Sequence, residues 1–189
     1  MRILACADLH GRPERIARVR SLVAELTPEV VLLPGDLTHA GQGHEALSLL
    51  QTLPVPVFAV AGNMDDAGAV AVMRRHGALL EGAARLIGGV AFAGPDAELP
   101  CDVLVVHEPP LNVLDAVRSG QHIGSSAVRE QMRRLRPRLL TCGHVHESPG
   151  IERVGDTLVV NCTMGDGMTG GALIDVGAVV AARLLSTRS

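Results

Sequence analysis

Ile3-Leu4-Ala5-Cys6-Ala7-Asp8-Leu9-His10-Gly11 sets five apolar residues in a row and then stops on an acid, an imidazole and a glycine. So short and unbroken an apolar run reads as a strand covered on both faces, the kind found in parallel sheets flanked by helices. The residues that follow extend this pattern. From Pro13 onward, Ile16, Val19, Leu22, Val23 and Leu26 recur at three- and four-residue spacing, which predicts a helix ending at Thr27-Pro28. Val30-Val31-Leu32-Leu33 is a second buried strand, closing on Pro34-Gly35-Asp36. Ala46, Leu47, Leu49 and Leu50 suggest another helix, and Val55 to Val60 a third strand ending at Gly62-Asn63-Met64-Asp65-Asp66. This βαβαβ order implies a parallel sheet with right-handed crossovers.

Farther along, a helix is expected from Ala67 to His76. Leu86-Ile87 and Val90-Ala91-Phe92 straddle Gly88-Gly89, a hairpin signal. Val103 to Val106 forms a buried strand ending at His107, and Ser125 to Leu135 a helix with a basic face at Arg129, Arg133 and Arg134. Leu139-Leu140 leads into Thr141-Cys142-Gly143-His144-Val145-His146-Glu147. The chain closes in two hairpins, Ile151–Val154 with Thr157–Val160 and Ala172–Val176 with Ala178–Leu185. The expected architecture is α/β: a four-layer α/β/β/α sandwich of two mixed β-sheets flanked by helices, in a single domain spanning 1–189.

Composition narrows the function classes. All 17 basic residues are Arg, and the net charge of -3 supplies no general attraction for nucleic acid or anionic membrane. Without Trp or Tyr, and with only Phe58 and Phe92, the core must be aliphatic and the protein nearly silent at 280 nm. Cys6, Cys101, Cys142 and Cys162 form no C-x-x-C pair and fall in or beside apolar runs, so they read as buried thiols in a reducing compartment. The apolar stretch near the amino terminus is too short for a signal-peptide core and no run reaches membrane-span length, which gives a cytoplasmic expectation.

The polar residues of interest stand where apolar runs stop: Asp8 and His10, Asp36, Asn63, His107, then His144 and His146. Ligand crevices of open α/β sheets lie beyond the carboxyl ends of the strands, so segments far apart in sequence converge on one rim. Imidazole and carboxylate side chains suit borderline divalent metals such as Zn, Mn, Fe or Ni.

This ordered set resembles the calcineurin-like binuclear metallophosphoesterases, whose pattern runs D-x-H, G-D, G-N-H-[DE], H and G-H-x-H. Here it stands as Asp8-Leu9-His10, Gly35-Asp36, Gly62-Asn63-Met64-Asp65, His107 and Gly143-His144-Val145-His146. The resemblance implies two divalent metal ions. Asp8, His10 and His146 would hold one, Asn63, His107 and His144 the other, and Asp36 would bridge them. It implies hydrolysis of a small-molecule phosphoester by a hydroxide bridging the metals, with Asp36 and Asn63 central to catalysis. Met64 departs from the pattern. The family's His there assists the leaving group, and a thioether cannot donate a proton. Small bacterial and archaeal relatives with G-N-C-D, described as phosphodiesterases, are closer to this chain in that loop. A preferred reading of Met64 is apolar packing under the loop.

His39, three residues past Asp36, is a candidate to contact phosphate or supply the missing acid, with a solvated loop His as the alternative. Arg12 is a candidate phosphate clamp, against an exposed first-turn Arg. His44, His76 and His122 read as structural or exposed. Arg129, Arg133, Arg134, Arg136 and Arg138 make a basic strip with no aromatic residue to stack bases, so a solvated face is preferred over nucleic-acid binding. A second function class stays open: a non-catalytic interaction scaffold, like the retromer subunit that shares the family's fold.

Overall fold

The computed structural model describes residues 1–165, 167 and 169–187. Two mixed sheets face each other. In the first, β1 (Arg2–Ala5), β2 (Val30–Pro34) and β3 (Val57–Val60) run parallel, and the closing hairpin β10 (Ala172–Val176) and β11 (Val180–Leu184) adds antiparallel to β1, in the order β11-β10-β1-β2-β3. In the second, β4 (Arg85–Ile87) and β5 (Val90–Ala93) form an antiparallel hairpin, while β5, β6 (Val103–Val105), β7 (Leu139–Cys142) and β9 (Thr157–Asn161) are parallel. β8 (Gly150–Val154) closes that edge antiparallel to β9, giving the order β4-β5-β6-β7-β9-β8.

Strand alternation assigns the layers, because successive side chains point to opposite faces. Ile3, Ala5, Val30 and Leu32 meet Val103, Val105, Leu139 and Val160 between the sheets. Their neighbours Leu4, Cys6, Val31 and Leu33 instead meet Ile16, Val19, Leu22 and Met73 of α1 (Pro13–Leu26) and α3 (Ala67–Arg75). Leu104 and Leu140 turn outward to Met132 and Leu135 of α4 (Ser126–Leu135). Three apolar interfaces between four layers reproduce the expected α/β/β/α sandwich. The two phenylalanines pair within it, Phe58 from one sheet and Phe92 from the other, with ring centroids 5.2 Å apart.

Local chemistry sets the boundaries. Thr27 ends α1 in the left-handed region with φ 45°, and Ser125 caps α4 by accepting from the Val128 amide. Gly88 and Gly89 both have positive φ, 54° and 80°, as a two-residue hairpin turn with right-handed strand twist requires. Two expectations shift. The helix expected around Ala46 to Leu50 is a 3-10 segment, His44–Ser48, followed by a single α turn, α2 (Leu49–Thr52); apolar residues at 46, 47, 49 and 50 suit a three-residue repeat as well as a longer one. β3 starts at Val57 and not Val55 because Pro54 and Pro56 offer no amide to a ladder. Burial pushes the Cys6 thiol up to about 12 and also raises the other three, so all four are inert apolar fillers. No described helix is long and apolar enough to cross a membrane.

Candidate metal centre

The carboxyl ends of β1, β2, β3, β6 and β7 gather on one rim, and all seven residues expected there arrive together. His10 Nε2 lies 3.3 Å from His146 Nε2, and His146 Nε2 lies 3.6 Å from Asp8 Oδ1. Beside them, His107 Nε2 and His144 Nδ1 each lie 3.0 Å from Asn63 Oδ1 and 3.2 Å from each other. Asp36 Oδ2 stands between the knots, 3.8 Å from His10 Nε2 and 3.5 Å from His107 Nε2. Donor atoms of Asp8, Asp36 and His107 also fall within 4.8 Å of one another, so the knots are contiguous.

The backbone is bent hard to achieve this. Among the described residues nine non-glycine positions have positive φ, and four of them are Asp8, His10, Asp36 and His144. Asp, Asn and His tolerate that region better than most side chains, yet each such turn still costs free energy that the surrounding packing must hold in place. The glycines of the motifs make room for one another's neighbours. A Cβ on Gly35 would strike the His107 ring, one on Gly62 the Asp36 carboxylate, and one on Gly143 the Asp8 carboxylate.

Three residues that the motif reading leaves without a role fasten the rim. The Asp65 carboxylate accepts from the amides of Thr38 (2.8 Å), Gly62 (3.0 Å) and Leu37 (3.3 Å) and from the Thr38 hydroxyl (2.9 Å), locking the Asp36 loop to the Asn63 loop. Buried Asn161, at the end of β9, donates to the Val145 carbonyl at 3.0 Å and so holds the loop carrying His144 and His146. Arg15 donates to the carbonyl oxygens of Asp8 (2.7 Å) and Gly165 (2.5 Å) and lines the cavity over the rim. The signal for Asn161 was its place where an apolar run stops, the rule that found the others.

The donor set fits a cation. His107 Nδ1 lies 3.0 Å from the Pro34 carbonyl and must carry the proton to bond it, which leaves the neutral ring's Nε2 as a bare acceptor. That acceptor faces the Asn63 amide oxygen, another acceptor, at 3.0 Å. Two lone pairs pointed at each other repel unless a positive charge lies between them. Electrostatics agree: burial raises the Asp36 pKa despite His107 and the Met64 amide, and burial, with His107 nearby, lowers that of His144. Burial likewise lowers His10. Burial would raise Asp8, but the neighbouring imidazoles of His146, 3.6 Å away, and His107 hold it below its usual range, and the Asp8 carboxylate in turn raises His146.

A cavity of about 390 Å³ opens above the rim, lined among others by His10, Arg12, Arg15, His39 and Met64. His39 reaches its mouth, with Nδ1 3.2 Å from His10 Nδ1. Met64 does not pack under the loop. Its half-buried side chain lines the cavity, and its backbone donates to Asp36 and accepts from Ala40. His122 pairs with buried Asp115, His76 with Gln51 and His44 with Asp66, all outside the rim set. Arg133 pairs with Glu130 and Arg136 with Asp156, while Arg134 donates to the carbonyls of Ala97 and Glu98 on an exposed face.

Two facing mixed sheets whose parallel strands deliver Asp, His and Asn to one rim define an α/β protein of the phosphoesterase kind. The chain belongs to the calcineurin-like phosphoesterase superfamily, whose domain matches residues 1–170. An uncharacterised protein of Methanocaldococcus jannaschii is 26% identical over 195 residues, covering 85% of this chain and 87% of that protein. A structure from Thermus thermophilus matches 99% of both chains with TM-score 0.72 at 15% identity. An archaeal phosphodiesterase matches 98% of this chain and 100% of its own with TM-score 0.66 at 17% identity.

Proposed function

We propose that the chain works as a single domain that hydrolyses phosphodiesters with two divalent cations on the rim. The observation that carries this reading is the pair of acceptor-rich knots sharing Asp36, in which like atoms face each other at hydrogen-bond distance. Asp8, His10 and His146 would hold one ion, Asn63, His107 and His144 the other, and Asp36 both. When bound, such ions supply Lewis-acid activation of water and neutralise charge growing on the phosphoryl oxygens. Manganese, iron, nickel and zinc are the ions compatible with this donor set.

The protein's own groups supply orientation. The Pro34 carbonyl fixes the His107 tautomer, and the His144 amide, 3.0 Å from Asp8 Oδ2, fixes that carboxylate. Met64 leaves the cavity without an acid on the Asn63 loop. Diesters with acidic leaving groups are therefore favoured over those releasing a basic alkoxide; diester chemistry itself is what the archaeal protein of like fold is named for. Metal analysis of purified protein together with turnover of bis(p-nitrophenyl) phosphate tests the proposal. Two ions per chain with metal-dependent turnover is the expected outcome. A metal-free protein inert after manganese loading would instead favour the interaction-scaffold reading.

A further inference from the structure

The cavity over the rim does not end at the metal-site residues. It continues into a side lobe of about 240 Å³ that shares His10, Arg12 and His39 with it. The lobe's floor is bare backbone. Gly11 and Gly43, with φ of 64° and 74°, meet Cα to Cα, and a side chain on either would collide with the other. Its walls carry Arg12, His39 and Gln42 and no carboxylate.

Two donors in this lobe lack an internal use. The exposed Arg12 guanidinium makes no hydrogen bond or ion pair among the described residues, unlike Arg15, which is spent on backbone carbonyls. The proton of His39 follows from its neighbour. If His10 turns an unprotonated Nε2 toward His146 and Asp36, its single proton sits on Nδ1 and is donated to His39 Nδ1, 3.2 Å away. His39 then carries its own proton on Nε2. Its backbone is held in place by paired bonds with Gln42, at 2.9 and 3.0 Å.

We infer that this lobe is a specificity subsite for a second anionic group on the substrate. The preferred diester carries a carboxylate or a further phosphoryl group a few bonds from the reacting phosphorus, bound by Arg12 and the His39 Nε2–H. The inference rests on the phosphoesterase reading above.

The test uses non-hydrolysable probes on manganese-loaded protein, with affinities measured by calorimetry. Propylphosphonate offers one anion; 3-phosphonopropionate and 1,2-ethylenebisphosphonate add a carboxylate and a second phosphoryl group. At least one two-anion probe should bind the wild type about tenfold more tightly than propylphosphonate, the size of one charge-assisted contact. Arg12→Ala should abolish that advantage and Arg12→Lys should restore part of it; which probe gains more identifies the group. An advantage that is absent from wild type, or that persists in Arg12→Ala, overturns the subsite. If bis(p-nitrophenyl) phosphate is still turned over in that case, the phosphoesterase reading stands. If no phosphonate binds and no diester is cleaved, both fall.

Discussion

Asp36 and Asp115 are both buried aspartates in loops that follow strands, 2% and 1% exposed, and they are built for opposite ends. Asp115 lies between β6 and α4 and accepts from the Asn112 amide at 2.8 Å, the Gly124 amide at 2.9 Å and His122 Nδ1 at 2.6 Å. Burial would raise its pKa, but those three bonds outweigh it and hold the carboxyl below its ordinary range. Asp36 accepts one good bond, from the Met64 amide, and turns its other oxygen toward two imidazoles at 3.5 and 3.8 Å. Burial wins there, and its pKa is raised. A satisfied carboxylate stabilises a fold; an under-satisfied one in a strained turn is a site waiting for a cation.

The largest effect should come from Asp36→Asn, which removes the charge shared by the two knots at nearly constant volume. We predict a fall in kcat/KM of about 10³-fold or more, with loss of bound metal. In chelator the variant should melt no lower than wild type, because the metal-free fold gains little from an ionised Asp36. Retention of most metal and turnover would assign the bridging role elsewhere.

Next in size is the metal's contribution to stability. An ion at about a hundred times its dissociation constant adds about 2.7 kcal/mol, so chelator should lower the Tm clearly at neutral pH. The sign with pH follows from the imidazoles. His146 has a raised pKa in the metal-free fold, so its proton stabilises that state below the ordinary imidazole value of about 6.5 and the benefit is lost as pH rises through the raised value. Metal must displace that proton. The Tm difference with and without chelator should therefore shrink on acidification from pH 8 to 5, and a difference independent of pH would break the assignment of His146.

Asp115→Asn probes the other side of the comparison. Loss of the charge behind three hydrogen bonds should cost about 2 kcal/mol, read by denaturant titration, with metal stoichiometry intact. Since the folded pKa of Asp115 is depressed, its contribution is present above the ordinary carboxylate value of about 4 and lost as pH falls through the folded value. The gap between wild type and variant should close in acid. A gap that stays constant to pH 3 would mean that packing, not charge, anchors the loop.

The two aspartates also differ in how readable they were. Asp36 stands where an apolar run stops, as do Asp8, Asn63 and His107, and the α/β alternation sends all such residues to one rim. That made the layers and the site legible without coordinates. Asp115 and His122 are joined by a loop closure within an irregular segment, which leaves no period to read. Asn161 also stands where an apolar run stops, but its role escaped for a different reason. Its grip on the His144 loop depends on β9 lying beside β7 with β8 displaced to the edge, a neighbour order that the hairpin pattern alone does not dictate. Asp65 was visible as part of a motif, but its four bonds depend on two loops meeting in space.

The smallest effect we predict separates reaction from assembly within the rim itself. Met64 lines the cavity beside Asn63 and makes its bonds to Asp36, Ala40 and Thr38 through its backbone, so its side chain can change without unmaking either knot. A thioether cannot protonate a departing alkoxide, whereas nitrophenolate departs without a proton, so the wild-type rate should depend steeply on leaving-group acidity. Met64→His places a proton donor on that loop. Well-positioned general acids are worth about 10²- to 10⁴-fold, but the surrounding shell was not shaped for this ring, so we expect about tenfold on alkyl diesters and less on nitrophenyl ones. The readout is the ratio of kcat/KM for matched alkyl and nitrophenyl diesters at equal metal occupancy. An unchanged ratio in a folded, fully metallated variant would place residue 64 away from the leaving group and leave His39 as the proton source.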